Sequence, residues 1–366
     1  MSESRTVKRF LQYVTTSSES GHERTFSLLL EEELKRLGFT VTRDECGAAV
    51  DSDGFNVHGF LTGKTDAEPL LFCCHQDTVP PGTDIHPQIR DGVIYSDGTT
   101  VLGGDDKAGI AAVLEGVERL VEQNALARSV EVLFTLREET GLQGSRNADY
   151  SVVRSRQAVV FDCGGPIGTV ITRSPEIIDL EVTYLGKAAH AATPEKGIHA
   201  LKAAAQAVAD IDVGRVDEIS TVNIGNFLAP GKTNVICPKT TFGLEVRSFD
   251  KAHCEQLRDQ IVARLHAAAD KFGASCEVLQ TGNCRVVSVG TDSPLMKLTQ
   301  RAFEAMGLPM IAESTFGGCD ASNLSAHGIA ALNVSCGMEQ VHSTEEYLRI
   351  DDLEKAADFV QTILSM

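Results

Sequence analysis

Short, almost wholly apolar runs separated by a helix-length segment constrain this chain more than any other feature. Runs at 55–61, 70–74, 130–136 and 158–161 read as strands, and a helix of about 107–121 lies between the second and third. Strands buried on both faces lose the alternation of half-exposed ones, so the pattern predicts a largely parallel, doubly wound sheet with helices on both sides. An N-terminal helix precedes it, with Ser20-Gly21-His22-Glu23 reading as a capping box and Gly38 as the stop.

The character changes near Pro175. Residues 177–182 alternate apolar and polar, as a half-solvated antiparallel strand does. A helix near 197–211, strands near 222–227 and 241–246, a helix near 251–269 and a strand near 275–279 follow. Two helices on one face of a four-stranded antiparallel sheet make a compact α+β insertion. The doubly wound pattern resumes with a helix at 293–306, a strand at 331–336 and a helix at 351–364. The expected organisation is one α/β domain of mixed sheet, residues 1–174 and 291–366, split by an inserted domain at 175–290. A chain of 366 residues suits two cores.

In parallel sheets functional residues collect beyond the carboxyl ends of the strands. His75, Glu138, Glu139 and Asp162 fall there, Asp105 just precedes the intervening helix, and His342 follows the last strand-like run. Taken singly each has an ordinary reading. His75-Gln76-Asp77 would be surface, Glu138-Glu139 a solvated helix face, Asp105-Asp106 a helix cap and Asp162 a turn. Together they supply carboxylates and imidazoles in a number and order that two neighbouring divalent ions require, with zinc, cobalt and manganese all compatible. Such a pair polarises a carbonyl and acidifies water, so the set points to a metal-dependent hydrolase. Of the adjacent glutamates one can bind metal while the other serves as general base, and Asp77 can accept the spare imidazole N–H of His75.

Composition excludes other classes. With 51 acidic against 33 basic residues the formal charge is −18, which argues against nucleic-acid and acidic-membrane partners. The segment Met1-Ser2-Glu3-Ser4-Arg5 has no apolar leader core, and no stretch approaches a membrane span, so a cytoplasmic location is expected. The ten scattered cysteines then read as buried free thiols. A serine or cysteine hydrolase finds no nucleophile elbow here.

The motifs Cys74-His75-Gln76-Asp77-Thr78-Val79, Gly103-Gly104-Asp105-Asp106-Lys107-Ala108-Gly109, Glu138-Glu139-Thr140-Gly141 and His342-Ser343-Thr344-Glu345-Glu346-Tyr347 resemble the dinuclear zinc exopeptidases. That family includes peptidase T, glutamate carboxypeptidase, aminoacylase and succinyl-diaminopimelate desuccinylase, and the peptidase T subgroup is the nearest in form. The resemblance implies Asp105 as the bridging ligand, His75 and Asp162 on one ion, and Glu139 and His342 on the other. It implies Glu138 as general base, Asp77 as orienting carboxylate and His190 as oxyanion donor, the last often reaching a partner subunit's site. Asn234, Arg247 and the loop Gly317-Gly318-Cys319-Asp320-Ala321 match substrate-contacting positions, with Cys319 where relatives often carry Ser. The implied partners are short peptides and a second copy of the chain, bound through an inserted lid and dimerisation domain. The implied activity is tripeptidase-like aminopeptidase. An amidase, deacylase or carboxypeptidase acting on N-acyl amino acids, and a non-catalytic peptide binder, are the alternatives.

Overall fold

A computed structural model describes residues 4–366. The chain forms two compact units: the part up to Arg173 with Val287–Thr315 and Cys319–Met366, and Ser174–Val286 with Phe316–Gly318.

The first unit carries a twelve-stranded mixed sheet. Four parallel strands form its middle, in the spatial order Val130–Thr135, Leu70–His75, Gln157–Gly164 and Ala330–Glu339. Antiparallel strands continue the sheet on either side, Asn56–Leu61 and Thr40–Asp44 beyond one edge and Tyr347–Arg349 beyond the other. The strands Leu70–His75 and Val130–Thr135 are buried at every residue. Alternate side chains feed two cores. Leu70, Phe72 and Cys74 join one with helix Gly104–Glu122, while Leu71 and Cys73 join another with helix Ala321–Ala326. Helix Gly104–Glu122 begins hard against the sheet: a Cβ on Gly109 would lie 2.6 Å from the Phe161 Cβ and 2.4 Å from an Asp106 oxygen. The glycine of the Asp-Asp-Lys-Ala-Gly run is therefore a packing requirement.

The capping box does not form as expected. Helix Arg24–Arg36 is capped by Glu23, without a side-chain bond to its first turn. Ser20 instead donates to the Asp77 carboxylate at 2.6 Å, and the Glu23 carboxylate accepts from the Gly21 N–H at 2.9 Å. The C-terminal stop is as expected: Gly38 takes φ +91° and the Phe39 N–H returns to the Leu34 carbonyl.

The second unit is an antiparallel sheet of five strands, not four, in the order Gly214–Asp217, Ser220–Leu228, Lys239–Ser248, Glu176–Leu185 and Ser275–Cys284. The additional edge strand, Gly214–Asp217, is short and solvated, so it carries no apolar alternation that a sequence could display. Helices Ala200–Ala209 and Lys251–Phe272 pack their alanines and leucines on Ile178, Leu180, Val182, Phe242, Leu244 and Val246. All ten cysteines are free. Among the described residues no helix is long and apolar enough to cross a membrane.

Candidate active site

His75 ends its strand, and Glu138 and Glu139 lie in the turn after Val130–Thr135. Asp162 sits near the end of Gln157–Gly164, Asp105 opens the buried helix, and His342 follows Ala330–Glu339. The parallel register brings these ends to one edge of the sheet. One Asp105 carboxylate oxygen lies 3.0 Å from His75 Nε2 and the other 3.2 Å from His342 Nε2. His342 Nε2 is also 2.9 Å from a Glu139 oxygen. Two groups of potential ligands result, His75–Asp105–Asp162 and Asp105–Glu139–His342, each with its donor atoms within 4.8 Å of one another and both sharing Asp105. A third grouping joins Glu138 to His75 and Glu139.

The electrostatics of this edge suit cations. Burial opposes a charge on His75, yet the hydrogen bond to Asp105 and the nearby Asp77 carboxylate outweigh that and raise its pKa well above the usual value. Hydrogen bonds to Asp105 and then Glu139 lift His342 to about 10. Burial also works against an ionised Asp105, but the two imidazoles hold it below the carboxylate range. Protons on the imidazoles here balance carboxylates that divalent ions would balance instead. The donor set, nitrogen and oxygen only, fits such ions. His75 Nδ1 is turned away to a backbone carbonyl, which leaves Nε2 as the ligating atom.

Asp77 orients the site by a different route from the one expected. His75 Nδ1 lies 2.9 Å from the Asp77 carbonyl oxygen and 3.5 Å from its carboxylate, so the imidazole N–H goes to the backbone. The buried carboxylate instead accepts the N–H groups of Glu138 and Glu139, at 2.9 and 3.3 Å, along with the Ser20 hydroxyl. It thereby fixes the turn that carries both glutamates. Burial, then the negative charge of Asp162, pushes the Glu138 carboxyl well above its ordinary pKa. That direction is the one a proton-transfer group requires.

Three supporting residues were not singled out from sequence, although Asp320 lies in the loop matched there to substrate-contacting positions. Glu346, buried, accepts from the Gly103 and Asp105 N–H groups at 2.8 and 3.0 Å, and so pins the start of the Asp105 helix to the His342 segment. Asn333 accepts from the Asp162 N–H at 2.9 Å and donates to its carbonyl at 2.5 Å. Asp320 binds Thr135 and Ser145 below the glutamate turn. Glu346 belongs to the quoted motif, and its spacing of four from His342 was the available signal. Asn333 and Asp320 act through contacts more than 170 residues away in sequence, which no local pattern carries.

His190, Asn234, Arg247, Gly317 and Gly318 lie in the second unit. Exposed His190 pairs with Val235, the Ala191 N–H donates to the Asn234 carbonyl at 2.9 Å, and His190 Nδ1 accepts from the Ala192 N–H at 3.0 Å. Arg247 is engaged: Nε and Nη2 donate to the two Glu245 oxygens at 2.6 and 2.8 Å, and Nη1 donates to the Phe316 carbonyl. Gly318 packs against Cys284 and Ile177, where a Cβ would come within 2.8 Å of the Cys284 sulfur.

The sequence profile of Peptidase family M20/M25/M40 matches residues 71–366. An uncharacterised protein of Bacillus subtilis, YqjE, is 31% identical over 365 residues, covering 100% of this chain and 98% of its own. The crystal structure of aminopeptidase PepT from Bacillus cereus superposes with a TM-score of 0.91 at 31% identity, covering 99% of this chain and 97% of that one. A tripeptidase structure from Staphylococcus aureus gives a TM-score of 0.94 at 30% identity over the same shares. With that profile over most of its length and the ligand-bearing edge described above, this chain belongs to peptidase family M20/M25/M40 as a peptidase T-like metallo-exopeptidase.

Proposed function

We propose that this enzyme removes the N-terminal residue from short peptides, tripeptides foremost, with two divalent ions held by His75, Asp105, Glu139, Asp162 and His342. The observation that carries the reading is Asp105, whose two oxygens face different imidazoles, each within 3.2 Å. Similarity to an aminopeptidase and a tripeptidase supports this choice of substrate class. Zinc is the expected metal, with cobalt or manganese as substitutes. When bound, such ions polarise the scissile carbonyl and acidify water.

The chain's own residues divide the remaining work. Glu138 takes the proton of the attacking water and returns it to the leaving amine, its aim set by the Asp77 carboxylate beneath its own N–H. His190 donates to the developing oxyanion. Acceptance of the Ala192 N–H at Nδ1 places its proton on Nε2, the form that donation needs. Arg247 can bind a substrate carboxylate in a bidentate fashion only by exchanging Glu245, and Asn234, Gly317 and Gly318 complete the substrate side. Five exposed large apolar residues of the second unit, Val213, Phe227, Leu228, Val235 and Leu279, suit a homodimer through that unit.

Metal content and substrate choice test the reading together. About two divalent ions per chain and cleavage of a tripeptide in preference to an N-acyl amino acid are expected, with activity abolished by a chelator and restored by zinc. Active protein without metal would end the proposal. Preference for the acyl amino acid would make it a deacylase, and metal without any turnover a binding relative.

A further inference from the structure

Asp320 is 1% exposed, and the contacts that hold it are hydroxyl and thiol groups. One oxygen accepts from the Thr135 hydroxyl at 2.5 Å and lies 3.8 Å from the Cys73 sulfur. The other accepts from the Ser145 hydroxyl, which in turn accepts from the Asn323 side-chain N–H at 2.8 Å. Thr135 ends the strand from which Glu138 and Glu139 follow, and Ser145 lies in the short helix Gln143–Arg146 just beyond them. Between those two feet the turn closes on itself. The Leu142 N–H reaches the Glu138 carbonyl at 2.8 Å, and the Gly144 N–H reaches the Leu136 carbonyl at 2.9 Å. Cys73 stands two residues before His75 on the neighbouring strand.

A buried carboxylate is costly, and burial raises the Asp320 pKa although both hydroxyl contacts pull the other way. Packing alone would be met as well by an apolar side chain of that size. What an apolar residue cannot do is hold two hydroxyls on two separate elements at once. We propose that Asp320 is a positioning residue for the hydrolysis: its carboxylate grips both feet of the Glu138–Glu139 turn and so sets the aim of Glu138 and the ligand geometry of Glu139. This rests on the reading in which Glu138 moves protons and Glu139 binds an ion.

Asp320→Ala and Asp320→Asn, made in the full chain and loaded with zinc, test the proposal. Alanine removes both grips, whereas the amide keeps one acceptor and places an N–H group opposite a hydroxyl oxygen that can receive it. Alanine is expected to lower kcat by ~10–100-fold with KM within about twofold, and to weaken the binding of one zinc ion by ~10–100-fold in calorimetric titration, the usual cost of losing a residue that orients a ligand. Asparagine should recover most of both. Thr135→Val and Ser145→Ala should each give part of the loss and add nothing to Asp320→Ala, because all three act through one contact set. They carry the test if the alanine variant does not fold. Unchanged kcat and zinc affinity in Asp320→Ala overturns the proposal, as does an effect confined to thermal stability, or asparagine no better than alanine. Glu138→Gln measured alongside separates the two ideas: full activity there removes the proton-transfer reading, while the zinc titration still judges Asp320.

Discussion

Glu138 and Glu139 are neighbours in sequence, and Asp77 accepts the N–H of each, yet their side chains meet different surroundings. Glu139 lies 2.9 Å from His342 Nε2, while Glu138 is buried beside Asp162 with its pKa driven upward. Glu138→Gln should therefore keep both metal ions and the fold while turnover falls ~10²–10⁴-fold, the usual worth of a general base. Metal analysis and kinetics on the same preparation check this, and loss of metal from that variant but not from Glu139→Gln would reverse the two assignments. The motif spacing made these residues legible in the sequence because each lies within a few residues of a strand end. The hydrogen-bond partner of His75 was not legible. An imidazole two residues from an aspartate can reach either its carbonyl or its carboxylate, and the turn after the strand chose the carbonyl.

Helix Gly104–Glu122 shows how an element is tied to its neighbours. Its burial is nearly complete, and it crosses helix Ile350–Leu364 at Gly116, where a Cβ would lie 2.7 Å from the Val360 Cβ and 2.8 Å from the Ala357 carbonyl oxygen. Gly116→Ala would gain ~1 kcal/mol of helix propensity. Backbone cannot retreat as a flexible side chain does, so overpacking of about 1–3 kcal/mol should offset or exceed that gain. A melting temperature lowered by a few degrees is expected in calorimetry, and a raised one would show that the helices can part at no cost. The helix itself was evident from its apolar density, but its first turn was not. Asp105 and Asp106 depart from helical dihedrals, which directs Asp105 toward the two histidines. The capping box failed for a related reason. Ser20 had a stronger acceptor in Asp77, a carboxylate 57 residues away, than in the helix it precedes.

At the scale of the whole molecule, charge is distributed unevenly. Against a formal charge of −18, buried Arg9 of helix Arg5–Thr15 gathers Glu33, Glu115 and Glu118, and Arg36 brings a second guanidinium to Glu118. Hydrogen bonding to Arg36, and then to Arg9, lowers the Glu118 pKa to about 2. A depressed carboxylate stabilises the fold fully above its unfolded value of ~4.3 and loses that contribution as pH falls toward 2. The gap in melting temperature between wild type and Glu118→Gln, measured with chelator present, should therefore be largest near neutral pH and shrink between pH ~4.3 and 2. A gap independent of pH would assign the effect to packing. The sequence by itself determined the alternation of buried strands and helices, the inserted antiparallel unit and the five ligand candidates, because burial period and strand-end placement are written in local order. Only the tertiary structure decided the fifth strand of the second sheet, the targets of Asp77 and Ser20, and the reach of Asp320 to Thr135 and Ser145. Each of these depends on which of several polar partners lies nearest once the chain has folded. That is a matter of distances across the sheet, which spacing along the chain does not encode.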